Sequence, residues 1–337
     1  MPKTINRNTV LSIIVSLSLI LYLFSRIEFN DFVRIISNIN IVLFIIACLI
    51  SLPNNATRAY RWSRVLKAQK INLSLLNALK YFIMALFAAV LTPGRVGDLL
   101  RAYLVSRREK KTFGYITASV VFDRILDLGT MLAIAAFGVL LFFTPEQMEN
   151  LNSAILLLVI FAVLGAFLVY IVFSTDFGKS FLLKIGRGFI GLMPKRFAQK
   201  VDLDNELNDF FAAIDLYRSN YGNLIVAAVC SFAAWAIYGF QGYILFLAFG
   251  GDQNVSFLVI MFFVAFAAFA TLIPFTISGI GAREAIFIML FGSIGIAEAT
   301  ALSFSLVFIA IASWIPAIFG GVLLGKEGLG KPDIAES

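Results

Sequence analysis

Thr92-Pro93-Gly94-Arg95-Val96-Gly97-Asp98-Leu99-Leu100-Arg101 interrupts one apolar run of this chain, and Pro274-Phe275-Thr276-Ile277-Ser278-Gly279-Ile280-Gly281-Ala282-Arg283-Glu284 interrupts another. Each break combines a proline with two glycines and sets an acid and an arginine within a few residues. Lipid offers no partner to the N–H and C=O groups that such a break frees. Non-helical backbone at membrane depth therefore persists only where protein buries it or where it lines a polar cavity. The two breaks mark a place where something polar is handled inside a bilayer.

The surrounding composition supports a membrane setting. Of 337 residues, 60% are hydrophobic and 14% charged, with a mean hydropathy of +0.92, whereas a soluble domain carries about 25% charge. Long apolar stretches recur from end to end, the mark of an all-α polytopic membrane protein. No dyad alternation appears, so a β-barrel is excluded. The chain has no histidine, which removes Ser-His-Asp and Cys-His catalysis and imidazole metal sites. Cys48 and Cys230 fall in apolar stretches without paired spacing and read as small buried hydrophobes. No metal, cofactor or nucleic-acid partner is expected. Lys3 and Arg7 ahead of Val10–Phe24 imitate a signal peptide, but no small-residue cleavage site follows, and the run reads as an uncleaved first span.

Apolar spans cover about 10–25, 40–57, 75–92, 113–143, 153–174, 222–250, 255–275 and 300–324, with short arms at about 96–106 and 284–294. Each short arm reaches only ~16 Å, half of a ~30 Å hydrocarbon core. The cations then select the topology. Lys3 and Arg7 precede the first span; Arg58, Arg61, Arg64, Lys67 and Lys70 follow the second. Arg107, Arg108, Lys110 and Lys111 follow the first short arm, and seven more cations occupy the loop at about 175–221. If both broken segments are hairpins, all of these share the cytoplasmic side with Lys326 and Lys331, as the positive-inside rule demands. The expectation is about six full spans plus two opposed re-entrant hairpins, multi-pass in the cell membrane with both termini cytoplasmic. Residues 1–337 then form one integral membrane domain. Its halves, about 10–143 and 153–324, would be inverted repeats, a recurrent transporter plan.

Two other segments have a plain reading. Leu203, Leu207, Phe210, Phe211, Ile214 and Tyr217 make the apolar stripe of an amphipathic cytoplasmic helix, read first as an elbow between spans. Arg58, Arg61 and Arg64 around Trp62 read as an anchor to anionic headgroups. Gly279-x-Gly281-x-x-Glu284 superficially resembles a nucleotide loop but lacks the preceding strand. Gly321-x-x-x-Gly325 reads as a small-residue packing face.

Eight ionisable residues fall at membrane depth: Arg95, Asp98, Arg101, Asp123, Arg124, Asp127, Arg283 and Glu284. Four cations against four anions suggest mutual pairing, because an unpaired charge costs about 3 kcal/mol at a helix centre. Asp123 and Asp127 share a helical face, and Arg124 can reach Asp127 at i,i+3. Two readings stand. Either the arginines meet an anionic group in a polar cavity, as the rigid guanidinium fork suits phosphate, or the eight are interhelical salt bridges. Function is favoured for Arg95, Arg283 and Glu284 beside the breaks, and the readings balance for Asp123, Asp127 and Arg101. Pro93, Gly94, Gly97, Pro274, Gly279 and Gly281 are the candidate hinges.

At these residues the chain resembles the lysylphosphatidylglycerol synthase transmembrane-region family, also called the flippase-like domain family. Its members resemble the N-terminal flippase half of the multiple peptide resistance factor. The matching elements are Arg58-x-x-Arg61-Trp62, Thr92-Pro-Gly-Arg95-x-Gly97-Asp98-x-x-Arg101, Phe122-Asp123-Arg124-x-x-Asp127 and Pro274-x-x-x-x-Gly279-x-Gly281-x-Arg283-Glu284. Singly each is weak; in this order, across nearly the whole chain, they are specific. The family often has glutamate at the positions of Asp98 and Asp123. The aminoacyl-transferase domain of full-length resistance factors is expected to be absent, so the resemblance implies the membrane domain without lysine transfer. It also implies a non-enzymatic flippase-like lipid transporter that moves a polar or phosphate-bearing headgroup across the membrane. Its partners would be an anionic phospholipid or a polyprenyl-phosphate-linked lipid, and a homo-oligomer is compatible with this reading. The alternative is a membrane-embedded transferase, or an accessory subunit to one, with Asp123, Asp127 and Glu284 as candidate acids or bases.

Overall fold

The computed structural model describes residues 29–92, 94–142, 202–272, 276 and 279–327, with isolated positions between 159 and 183. The expected first span, both termini, most of 153–174, and Pro93 and Pro274 lie outside the described residues. Among the described residues all regular structure is helical. In order come α1 (Phe29–Ser37), α2 (Ile41–Ala68), α3 (Leu75–Val90), α4 (Leu99–Glu109), α5 (Phe113–Phe142), α6 (Leu203–Tyr217), α7 (Tyr221–Ala248), α8 (Phe257–Ala268), α9 (Ala282–Gly292), α10 (Glu298–Ile309) and α11 (Ile315–Glu327). By length and composition Ile41–Ala68, Tyr221–Ala248 and Glu298–Lys326 can each cross a membrane. Side-chain oxygens start several of these helices. Asn40 accepts from the Val42 and Leu43 amides at 3.1 and 3.2 Å, and Ser74 and Ser256 cap α3 and α8.

Helix α2 departs from expectation. Its apolar run fades near residue 57, yet the helix continues unbroken to Ala68 through Pro53. A proline inside a helix removes one amide donor. Around it the side chains of Asn55 and Thr57 donate back to the Ser51 and Pro53 carbonyls at 2.7 and 2.8 Å. Arg58 and Arg61 are thus helical residues, not loop cations.

At the first break α3 and α4 fold back on each other. Arg108 donates to the Tyr81 hydroxyl at 3.4 Å at the open end. At the tip, a Cβ on Gly97 would lie 2.1 Å from the Ala88 carbonyl carbon, so only glycine lets the arms meet. The Thr92 hydroxyl accepts from the Gly97 amide at 2.8 Å and donates to the Ala88 carbonyl at 2.9 Å, satisfying groups that the break frees. At the second break α8 tightens into a 3₁₀ turn, Phe269–Leu272, before the chain resumes as α9. The Gly281 amide there donates to Glu284 Oε2 at 2.6 Å. Both returning arms, α4 and α9, have 11 residues.

Helix α6 docks its stripe on α5, burying Phe210, Phe211, Ile214 and Tyr217. Its Asp209 accepts from the Thr112 hydroxyl at 2.7 Å, and its Glu206 accepts from the Gly114 amide. Two acids thereby sit at the positive end of the α5 dipole, so α6 caps the start of the earlier helix α5 on which it lies. The longest packing seam runs between α2 and α7, where Gln241 donates to the Ala47 carbonyl at 2.9 Å. Between helices that lipid could cover equally well, packing geometry replaces hydrophobic drive. Phe263, Phe287, Phe291, Phe304 and Phe308 supply it, with Phe287–Phe304 edge-on at 5.3 Å and Phe304–Phe308 stacked at 5.7 Å.

Between α10 and α11 the helix widens into a π turn, Ala310–Trp314, just before Pro316. Beyond it α11 lies on α3. The close contact uses Gly320 and Gly321, not the expected Gly321/Gly325 pair. A Cβ on Gly320 would sit 2.0 Å from the Ile83 carbonyl oxygen, whereas one on Gly325 meets nothing within 4 Å. Gly320→Val is therefore expected to lower the thermal midpoint of the detergent-purified protein by several degrees, while Gly325→Val leaves it nearly unchanged, as intrinsic fluorescence scans will read.

Candidate functional site: a cationic cavity between the helices

The site is built around Asp123, which is fully buried in the middle of α5. Its two oxygens divide between two arginines from other elements. Arg61 Nε of α2 reaches Oδ1 at 2.7 Å, and Arg101 Nη2 of α4 reaches Oδ2 at 2.7 Å. One turn on, Asp127 Oδ1 accepts from Arg61 Nη1 at 2.9 Å and from the Trp235 indole of α7 at 3.1 Å. Arg61 Nη1 also donates to the Ser231 hydroxyl at 2.9 Å. A single arginine thus joins α2, α5 and α7, with its side chain only 1% exposed. Arg101 is held flat as well, its guanidinium carbon 4.8 Å from the Trp62 ring centroid and 5.5 Å from that of Phe82. The Trp62 indole donates to the Ser119 hydroxyl at 3.0 Å.

Outside this clasp a cavity of about 350 Å³ opens between the helices. Its polar wall carries Arg58, Arg95, Arg124, Asp98 and Asp127, beside Asn54 and Asn55. Arg124 bridges the two carboxylates, 2.7 Å to Asp98 and 3.4 Å to Asp127, with 28% of its side chain exposed. Arg95 stands in left-handed backbone (φ 55°) at the tip of the first break, 3.4 Å from Asp98. Arg58 is bound less tightly to its acid, 3.7 Å from Asp127. Its guanidinium instead lies over Trp235 and Tyr238, at 5.6 and 5.2 Å from their centroids. Much of the remaining lining is apolar and includes Phe82, Leu86, Leu128 and Met131.

Six of the eight expected site residues, Arg95, Asp98, Arg101, Asp123, Arg124 and Asp127, therefore belong to one network. Arg283 and Glu284 do not pair with it. They bind each other, and both engage the Ser305 hydroxyl of α10, at 3.3 and 3.1 Å. Among the candidate hinges, Gly94 lines the cavity, Gly97 and Gly281 shape the breaks, and Gly279 has φ 76°.

Two members of the network are additions. Arg58 and Arg61 are interior groups, which corrects their reading as a headgroup anchor. A signal was present: Ser51, Asn54, Arg58 and Arg61 recur at helical spacing and draw a polar stripe along one face of α2. Their arrival also overturns the even balance of charge. Arg58, Arg61, Arg95, Arg101 and Arg124 face only Asp98, Asp123 and Asp127, leaving a formal excess of two positive charges among the described residues. Each buried charge costs about 3 kcal/mol on insertion scales, so the excess favours an anion in the cavity. No group of acids and cysteines suited to a metal ion occurs among the described residues.

Removing the carboxylate at the centre strands two buried guanidinium groups. Asp123→Asn is expected to cost about 3–5 kcal/mol and to abolish recovery of monodisperse protein. Arg58→Gln, at a loosely paired position, should purify normally with a thermal midpoint within a few degrees of the parent. Size-exclusion profiles and thermal scans of the two variants check this contrast.

Comparison with known proteins agrees with the architecture. The family model described as "Lysylphosphatidylglycerol synthase TM region" matches residues 9–320. A UPF0104 membrane protein of Pyrococcus horikoshii is 25% identical over 94% of this chain and 96% of its own. One from Methanocaldococcus jannaschii is 23% identical over 96% of each, and one from Methanothermobacter thermautotrophicus is 23% identical over 77% of this chain and 78% of its own. With the match running through both breaks and every member of the arginine network, the chain belongs to the lysylphosphatidylglycerol synthase transmembrane-region family of membrane proteins.

Proposed function

We propose that the protein is a flippase-like lipid transporter, in which a phosphate-bearing headgroup occupies the arginine-lined cavity while its hydrocarbon chains stay in lipid. The observation that carries this reading is the excess of two positive charges in and behind a cavity whose remaining lining is largely apolar. Guanidinium forks replace the hydration of an anion without needing to change protonation, because arginine keeps its charge in proteins. A transferase would need an acid or base able to exchange protons. Of the three candidates, Asp123 and Glu284 are wholly buried and held by arginines, and Asp127, which lines the cavity, is held by Arg61 at 2.9 Å, which favours transport.

On this reading the two broken segments are re-entrant hairpins, each entering and leaving on one face, and the halves are inverted repeats. The succession of elements supports it. A 28-residue helix, a hairpin with an 11-residue returning arm and a long closing helix occur in that order twice. The packing repeats too: α3 lies on α11, the closing helix of the other half, and α8 lies on α5, the closing helix of the first. The short helices α1 and α6, each preceding a 28-residue helix, rest on α10 and α5 in the same crossed manner. Gly94, Gly97, Gly279 and Gly281, with Pro93 and Pro274, would be the hinges between states that open the cavity to either leaflet.

Leaflet exchange of fluorescent phospholipids and short polyprenyl phosphates in reconstituted liposomes tests the proposal. The parent protein is expected to accelerate exchange of at least one anionic lipid. Arg124→Gln should slow it about tenfold or more, while Lys67→Gln, an exposed position near the end of α2, leaves it unchanged. Exchange no faster than in protein-free vesicles for every lipid offered would sink the reading.

A further inference from the structure

The size of the charge excess says more than its sign. The deep clasp of Arg61, Arg101 and Asp123 carries one positive charge too many, and the cavity wall of Arg58, Arg95, Arg124, Asp98 and Asp127 carries another. A phosphodiester, with one negative charge and two free oxygens, neutralises half of this. A terminal phosphate monoester carries close to two charges near neutral pH and presents three acceptor oxygens.

The geometry at the wall fits the second. Three arginines on three separate elements line the cavity: Arg58 on α2, Arg95 at the break and Arg124 on α5. None of the three forms a close two-pronged pair with one carboxylate. Arg124 divides its fork between two aspartates, and Arg95 and Arg58 stand 3.4 and 3.7 Å from theirs. In addition, Arg124 Nε is buried with no hydrogen-bond partner, as are Arg101 Nε and Nη1 just behind. We infer that the cavity selects a phosphomonoester dianion, held between Arg58, Arg95 and Arg124, over a phosphodiester. This rests on the transport reading for its lipid part. The phosphate chemistry itself has two sources, a lipid ending in a bare phosphate or free inorganic phosphate.

The test uses the full chain in nanodiscs of neutral lipid, with binding read by quenching of tryptophan emission, since Trp235 lines the cavity. The probes are phosphatidic acid and farnesyl monophosphate (monoester lipids), phosphatidylglycerol (a diester lipid) and inorganic phosphate. Both monoester lipids are expected to bind about tenfold more tightly than phosphatidylglycerol. Arg58→Gln and Arg95→Gln should each shrink that preference to about two- or threefold. Arg95 lies outside the long helices, which keeps the test alive if the first variant folds poorly. Equal affinity for monoester and diester lipids overturns the dianion inference and leaves the lipid reading standing. Inorganic phosphate binding as tightly as the monoester lipids supports the inference while removing the lipid reading. Failure of all four probes to bind overturns both.

Discussion

Everything in the first half of the bundle depends on one carboxylate shared by two arginines. Asp123 faces Arg61 on one side and Arg101 on the other, so α2, α4 and α5 all meet at this one side chain. In a medium without water such a contact is obligatory rather than helpful, because a buried charge without a partner is costly there. The aromatic walls follow from the same constraint. Trp62 and Phe82 lie against Arg101 because a guanidinium with only one carboxylate oxygen in reach still has faces to cover.

The short helix after the first break is explained in the same terms. Alone, an 11-residue helix is marginal. Arg101 ties α4 to Asp123, and the contact at Gly97 lets the α3 backbone close over its start. The second break uses a different device. Glu284 turns back to the Gly281 amide and Arg283 folds onto it, with Ser305 as the outside anchor. One break is fixed across the bundle, the other mainly on itself, and the cavity belongs to the first.

Much of this could be read in the residues. Among the described residues the apolar runs fall close to the helices, and the breaks at Gly97 and Gly281 lie where glycine and proline interrupt hydrophobic sequence. The elbow helix was written in the spacing of Leu203 through Tyr217. Arg58 and Arg61 were misread for a specific reason. Hydropathy averages over all faces of a helix, and α2 keeps lipid-facing residues on one side while a polar stripe faces α5 and α7 on the other. A window sum reports the end of a span there, when only the partner of one face has changed. The split between Arg283–Glu284 and the larger network was equally out of reach, since nothing local to either break says which helix will lie opposite. Gly320 taking the place of Gly325 is a rotation of α11 that packing against Ile83 and Phe87 decides.

One arrangement has a consequence beyond charge. Trp235 and Tyr238 meet at 89°, and the Arg58 guanidinium lies over both rings. Aromatic faces hold the cation by its flat side, while on its edge Nε donates to Asn54 Oδ1 at 3.2 Å and Nη1 stands 3.7 Å from Asp127. An arginine side chain has about 2 kcal/mol of rotamer entropy to lose when it is ordered. Here that loss is incurred when the bundle folds, not when a guest arrives. A guest that reaches Arg58 meets a donor array already immobilised, and the cavity is preorganised by stacking rather than by neutralisation.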